Sequence, residues 1–343
     1  MTSRARSRLS IILLFAFVSA FLAACSGRSQ TADEAPAAPT PIPTQVPTNA
    51  PDRAVLALPA DVVEADRAEA QALIGELAAS SGLEFEIREE IFANEITPDV
   101  KVVVFLSQPD NLGSLAAGAP STQFIALSDQ DWNPPGNVTI IRKNDGHAAF
   151  LSGYLAAMLA PDFRVGAMLA SENGADNQAF VNGVRYFCGL CAAKIFPLNT
   201  YPVVTQQPAG SAPAVWQGAF NELYGSKLNV VYMAPEALTP ELATYLSTAD
   251  VAFIGTQSPP QEILPRWAAT VNLDGLSPIR EVWNEALSGN GGRVVSVSLK
   301  ILDVNIIEVE GQYVWLSQGK MQLLDKVIEL LRDGQIYPYA VTP

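Results

Sequence analysis

The stretch of residues 146–189 constrains the fold of this chain most, because it places a short apolar strand between two helices. Apolar residues recur at helical spacing over residues 150–159, where Gly153 is small enough for close packing against another helix. Residues 164–170 (RVGAMLA) have the length and character of a buried strand. A polar loop, residues 171–176, follows this strand and opens the second helix. Because open α/β sheets bind ligands at the carboxyl ends of their strands, this loop predicts a ligand-binding edge.

Strand and helix patterns alternate along the rest of the folded region. Residues 100–106 (VKVVVFL) have the character of a central strand, whereas residues 83–87 alternate as an edge strand does. This alternation predicts mostly parallel sheets wrapped by helices, in two lobes that face a cleft. The other predicted strands are residues 54–58, 122–127, 138–141, 194–196, 228–233 and 251–255, and the other predicted helices are residues 62–80, 214–224 and 240–247.

The composition argues against several functions. A net charge of -14 disfavours nucleic acid and anionic membrane surfaces as main partners. The only histidine, His147, sits at a helix start, where a capping or surface role is the default, and three cysteines add few ligands for zinc. No P-loop, G-x-S-x-G or G-x-G-x-x-G motif occurs. We therefore predict no metal, no cofactor and no enzymatic activity.

The first 52 residues have the pattern of an export signal and a tether. Residues 1–24 combine three arginines with an apolar run, and the sequence Leu-Ala-Ala before Cys25 is similar to a bacterial lipobox. An uncleaved membrane anchor is the alternative. Residues 25–52 are rich in proline and small polar residues, which is typical of an extended linker. The pattern predicts a lipid-anchored protein on the outer side of the cell membrane.

The pair Cys188 and Cys191 remains once Cys25 is assigned to lipidation. An even pair in an extracytoplasmic protein favours a disulfide. Helical positions i and i+3 hold their Cβ atoms about 5–6 Å apart, whereas a disulfide needs about 3.5–4.5 Å. The helix must therefore loosen there, and Gly189 would allow it. A redox-active centre is the alternative, although such a pair belongs at a helix start and this one ends a helix.

An ordered set of motifs resembles one family. The sequence FLSGYLAA at residues 150–157 resembles the Y-L-A-G-x-x-A-A helix of the basic membrane protein family of ABC-transporter substrate-binding lipoproteins, many of which bind purine nucleosides. Residues 164–166 look like its K-V-G strand start, and residues 180–183 like its F-x-x-G-F helix. Residues 324–338 are similar to its closing helix and D-G-x-I-x-V-P tail. The resemblance covers about residues 138–338.

The resemblance implies the type I periplasmic-binding-protein fold, in which two α/β lobes close on a ligand. It implies a monomer that binds a small polar ligand and delivers it to an ABC permease. The expected organisation is an N-terminal lobe at residues 53–145, rejoined by about residues 260–290. The C-terminal lobe is expected at residues 146–258. Crossover strands and a closing helix are expected at residues 291–343.

Three loops depart from the family pattern. Residues 59–61 read PAD where the family has an acidic run followed by Phe-Asn. Residues 256–260 read TQSPP where the family has a ribose-binding Asp in V-D-x-D-Q, and residues 233–237 read MAPEA where it has a glycine-rich loop. These departures leave two readings open. One is a solute-binding protein, and the other is a surface sensor or interaction lipoprotein with the same fold and a changed or lost pocket. An extracytoplasmic enzyme is the weakest reading, because no catalytic constellation is present.

A bound nucleoside needs an aromatic face and acceptors for its ribose hydroxyls. Trp132 is the first aromatic candidate, with inter-lobe packing as its alternative, and Phe180 is the second, with a core position favoured. Polar candidates at strand ends are Asp129, Asp131, Asn177, Gln257, Asn272 and Asp274. Each of these could instead be a turn or capping residue, because Asp and Asn favour such positions.

Overall fold

Two six-stranded sheets, covered by helices, carry the fold. The computed structural model describes residues 50–60, 62, 64–194 and 196–340. In chain order the strands and α-helices are β1 (Arg53–Ala57), α1 (Glu64–Ser80), β2 (Glu84–Arg88), β3 (Val100–Phe105), α2 (Leu112–Gly118), β4 (Gln123–Ser128), β5 (Val138–Arg142), α3 (Asp145–Leu159), β6 (Val165–Ala170), α4 (Gly174–Cys188), β7 (Val203–Gln207), α5 (Pro213–Tyr224), β8 (Val230–Met233), α6 (Pro240–Leu246), β9 (Ala252–Gly255), β10 (Trp267–Asp274), α7 (Ser277–Leu287), β11 (Arg293–Ser296), β12 (Ser298–Leu302), β13 (Ile307–Val309), β14 (Gln312–Val314) and α8 (Gln318–Arg332).

The first sheet forms the N-terminal lobe. Its strand order is β11-β5-β4-β3-β1-β2, and all neighbouring strands are parallel. The alternating strand β2 lies at the edge and the apolar strand β3 lies inside the sheet, as their sequence patterns predict. Helices α1 and α7 pack on one face, where Ile74 and Trp283 are buried in a shared apolar core.

The second sheet forms the C-terminal lobe. Its order is β12-β10-β9-β8-β6-β7, parallel except for β12, which runs antiparallel to β10. The predicted strand at residues 164–170 is β6, which lies inside this sheet between β8 and the edge strand β7. Helices α3, α4 and α8 contribute buried residues to one large core with the sheet. Both lobes therefore have the parallel, helix-covered architecture that the alternation predicts.

Three connections join the lobes. The chain passes from β5 to α3, returns from β10 to α7, and crosses again from β11 to β12. Within residues 260–290, β10 pairs with β9 and extends the second sheet, whereas α7 packs in the core of the first lobe. Residues 293–296 belong to the first sheet, whereas α8 packs in the core of the second lobe.

Helices α3 and α4 approach each other through two glycines. A Cβ atom on Gly153 would lie 2.0 Å from the backbone oxygen of Phe180. A Cβ atom on Gly183 would lie 1.9 Å from the backbone oxygen of Phe150. Each helix therefore rests on the backbone of the other. The close packing expected from Gly153 is confirmed, and the sequence signal on the partner helix is Gly183.

The predicted strand at residues 194–196 is wrong. Lys194 and Phe196 lie in bends, Phe196 is 78% exposed, and the edge strand of the second sheet is β7. The disulfide between Cys188 and Cys191 (S–S 1.98 Å) and the single bridge between Ala192 and Thr200 shape this segment as an irregular loop. A short apolar run beside prolines therefore does not extend into a ladder here.

Two predictions concern residues outside the described part of the chain. The signal peptide at residues 1–24 lies there, as do Cys25 and the tether to residue 49. Within the described residues, no helix is long and apolar enough to span a membrane.

Candidate ligand site at the carboxyl ends of the second sheet

A cavity of about 330 Å³ opens at the carboxyl ends of β6, β8, β9 and β10. The starts of α3 and α4 complete its wall, so it lies beside the first two connections between the lobes. Its volume is at the lower end of the range for small-molecule sites. Its polar lining comes from Asp145, Asn173, Asp176, Asn177, Tyr232, Glu236, Thr256 and Asn272.

The loop between β6 and α4 is held by side chains that also line the cavity. Asn177 is 6% exposed, and its Nδ2 donates to the backbone oxygen of Ala170 at 2.7 Å. Asn173 Nδ2 donates to Glu236 Oε1 at 2.8 Å, which joins this loop to the segment after β8. The predicted polar loop at residues 171–176 therefore forms part of the cavity wall.

Two aspartates at the cavity are held in an environment that disfavours their charge. Burial raises the pKa of Asp145, and Asp129 adds to the rise while Lys143 opposes it. Burial raises the pKa of Asp176 as well, with Asp145 and Glu236 contributing and Tyr339 opposing. Protonation of these two groups therefore stabilises the folded state. That stability is complete below the ordinary aspartate pKa and is lost as the pH rises through their raised pKa.

Tyr232 supplies the aromatic ring at the cavity. Its ring stacks on the fully buried ring of Phe180, with centroids 4.8 Å apart and an interplanar angle of 28°. Burial raises the pKa of Tyr232 well above its usual value, although a hydrogen bond with Thr256 opposes the shift. Tyr232 is therefore a neutral phenol held in a fixed orientation at neutral pH.

The C-terminal tail packs beside the starts of α3 and α4. Asn182 Nδ2 donates to the backbone oxygens of Pro338 and Ala340, at 2.7 and 2.8 Å. The Tyr339 hydroxyl lies 3.1 Å from Asn144 Oδ1 and also within hydrogen-bonding reach of Asp176, and its single hydrogen can be donated to either acceptor. The tail therefore supports two elements from which the cavity is built.

The structure brings four of the predicted polar residues to this region. Asn177 and Asn272 line the cavity. Asp129 follows β4 in the first lobe, and it acts electrostatically on Asp145. Gln257 lies at the margin, where its Nε2 donates to the backbone oxygen of Pro235 at 3.1 Å.

The other predicted site residues lie outside the cavity lining, where they pack in a core, form ion pairs or cap a turn. Trp132 packs against the apolar core of the first lobe, and Phe180 is a core residue. Asp131 is an exposed ion-pair partner of Arg142 at 2.5 Å. Burial alone would raise the pKa of Asp274, but Lys300 and Ser277 together lower it below the usual value. Asp274 also accepts from the backbone N–H of Ser277 at 3.0 Å, so it caps the turn into α7.

Sequence reasoning missed the three carboxylates of the cavity. Asp145 begins α3, Asp176 lies in the first turn of α4, and Glu236 follows β8. The available signal was the rule that ligands bind beyond the carboxyl ends of parallel strands, applied to every strand of the second sheet. Among the described residues, no group of three His, Cys, Asp or Glu side chains could hold a metal ion.

Comparison with known proteins identifies the fold. No known family profile matches this sequence, and no curated protein is significantly similar. The structure is similar to an ABC transporter solute-binding protein from Conexibacter woesei, with a TM-score of 0.57, 19% identity, and coverage of 84% of this chain and 98% of that chain. A transcriptional activator of the comK gene from Bacillus halodurans matches with a TM-score of 0.57, 12% identity, and coverage of 83% and 99%.

An arabinose-binding protein from Geobacillus stearothermophilus is also similar, with a TM-score of 0.53, 12% identity, and coverage of 74% of this chain and 97% of that chain. At these identities the likeness concerns the fold. The chain has the type I periplasmic-binding-protein fold, and that prediction is confirmed.

Proposed function

We propose that this chain is the solute-binding component of an ABC importer, which binds a small polar ligand between its two lobes. The observation that carries the proposal is the polar cavity at the carboxyl ends of the second sheet, beside the connections to the first lobe. Open α/β sheets bind ligands at this edge. The proposal includes a monomer that performs no covalent chemistry on its ligand.

Lobe closure supplies the mechanism. The three connections between the lobes are short, with two residues between β5 and α3 and two between β10 and α7. Asp274 caps one of these turns and pairs with Lys300 on β12, so the hinge region has defined contacts. A ligand that contacts both lobes would stabilise the closed state by its differential affinity for that state.

The proposed location is the outer side of the cell membrane. The lipobox-like sequence before Cys25 and the proline-rich residues 26–52 support a lipid anchor and a tether. Such an arrangement keeps a binding protein near a membrane permease. The proposal also includes membership of the basic membrane protein family. The motifs at residues 150–157 and 324–338 support this membership.

A nucleoside remains a candidate ligand within this proposal. Tyr232 is the aromatic residue on the cavity wall, and one face of its ring is covered by Phe180. The amides of Asn173, Asn177 and Asn272 can accept from hydroxyl groups and donate to carbonyl oxygens. These groups suit a hydroxylated or amide-bearing ligand in general.

A sensor or interaction lipoprotein is the second candidate function. Pro235 and Thr256 line the cavity, and they lie in two of the loops where the sequence departs from the nucleoside-binding pattern. A cavity that no longer binds a transported ligand would account for the changed sequence of both loops. This alternative predicts no ligand-dependent stabilisation.

A thermal-shift panel of nucleosides, sugars, amino acids and amines separates the two functions. A ligand at a hundred times its dissociation constant adds about 2.7 kcal/mol of stability, which corresponds to a rise in Tm of about 4–5 °C for a protein of this size. Asn272→Leu, which replaces a polar amide of the cavity wall by an apolar side chain, should reduce the shift, whereas the exposed helix variant Asn284→Leu should retain it. No shift with any compound would overturn the transport function.

A further inference from the structure

The negative charge of the cavity lining restricts the kinds of ligand that it favours. Its lining contains the carboxylates of Asp145, Asp176 and Glu236, and among the described residues it contains no Lys, Arg or His side chain. We propose that the ligand is a small organic cation, whose ammonium or guanidinium group binds among these three carboxylates. This inference rests on the proposed solute-binding function and makes that function more specific.

Glu236 has one carboxylate oxygen that lacks a hydrogen-bond donor within the described part of the chain. Its Oε1 accepts from Asn173 Nδ2 at 2.8 Å, whereas its Oε2 is buried and has no hydrogen-bond partner among the described residues. A buried carboxylate oxygen without a donor is unfavourable. An N–H group of a bound cation would satisfy it with a charge-assisted hydrogen bond.

No basic side chain of the described cavity lining neutralises the three carboxylates. Lys143 lies close enough to affect Asp145, and Lys300 forms an ion pair with Asp274. Neither lysine is part of the cavity lining. Asp129 adds a further negative charge from the first lobe. The three carboxylates therefore retain an unbalanced negative potential, which attracts and retains a cation.

The spacing of the carboxylates favours an organic cation over a metal ion. Within the described residues, no three acidic, His or Cys side chains come close enough to share one metal. A volume of about 330 Å³ accommodates a molecule rather than a single ion. The amides of Asn177 and Asn272 and the hydroxyl of Thr256 would then bind the neutral polar part of the ligand.

The experiment uses titration calorimetry on the folded chain, with pairs of probes that are similar in size and differ in charge. Agmatine is compared with 4-guanidinobutanoate, which replaces its amine with a carboxylate, and D-glucosamine is compared with D-glucose. Adenosine tests the neutral nucleoside. We expect a cation to bind at least tenfold more tightly than its matched probe, and binding to weaken as salt concentration rises.

Three isosteric variants test the residues. Asp176→Asn and Glu236→Gln should each weaken binding of the cation at least tenfold, because each removes one charge-assisted contact. Glu222→Gln removes the same charge from an exposed position on α5, and it should change the affinity less than twofold. Melting curves of the ligand-free variants verify that each protein is folded.

The possible outcomes separate this inference from the proposed function. If glucose or adenosine binds and the cations do not, the cation inference is overturned and the solute-binding function stands. If Glu222→Gln weakens binding as much as Asp176→Asn, the cluster does not hold the cation, and the inference again fails. If no probe binds, both the inference and the proposed function are contradicted.

Discussion

Gly183→Ala should lower the free energy of unfolding by about 3 kcal/mol, because the added methyl group meets backbone rather than a movable side chain. Its Cβ would lie 1.9 Å from the backbone oxygen of Phe150 and 2.9 Å from the backbone nitrogen of Tyr154. Helices α3 and α4 would have to separate, and α3 also packs against the second sheet. Chemical denaturation measures the loss.

Gly218→Ala is the matched control for this prediction. Gly218 lies on α5, and a Cβ atom there would meet nothing within 4 Å. Alanine is a better helix former than glycine, so this variant should gain about 0.5–1 kcal/mol. Equal effects at the two positions would show that α3 and α4 do not pack through their glycines.

Trp283→Ala should destabilise the first lobe by about 3–5 kcal/mol, the usual cost of removing a buried tryptophan. Trp283 on α7 is 1% exposed, packs in the core of the first sheet, and donates from Nε1 to Ser81 Oγ at 2.9 Å. Hydrogen exchange should accelerate in β1 and β3 and change little in β6 and β8. That pattern would follow from the return of the chain to the first lobe at α7.

Trp216→Ala provides the reciprocal measurement. Trp216 on α5 is fully buried in the core of the second lobe. Its loss should accelerate exchange in β6 and β8 and leave β1 and β3 protected. If either variant accelerated exchange equally in both sheets, the two lobes would unfold as one unit, and the separate cores would have no independent stability.

Local patterns predict most of the fold, because the buried strands of this chain are apolar and the helices are periodic. Strands β3 and β6 are buried on both faces, so their sequences read as nearly continuous apolar runs. The half-exposed β7 has the sequence VVTQQ, and its polar residues give a weak hydrophobic signal for a strand. Which segment forms an edge strand depends on its pairing with the neighbouring strand more than on its local hydrophobicity.

The sequence predicts the position of the cavity well, but it predicts few of the residues that line it. The rule for parallel sheets identifies the loop after β6, and Asn177 lies in the helix that follows it. Asp145, Asp176 and Glu236 come from three separate segments, and only the packing of α3 and α4 on the sheet brings them together. Trp132 shows the opposite case, since an aromatic residue in a polar loop returns to the core of its own lobe.

The central claim is that a ligand closes the two lobes, and the distance between them tests it most directly. Spin labels at Asp110 and Ser258 would sit in exposed positions after β3 and β9, at the carboxyl ends of the two sheets, in a Cys25→Ser form of the chain. A control pair at Glu69 and Asp110 lies within the first lobe. We expect a ligand that raises Tm to shorten the Asp110–Ser258 distance and leave the control pair unchanged. An inter-lobe distance that stays the same at saturating ligand would contradict the account.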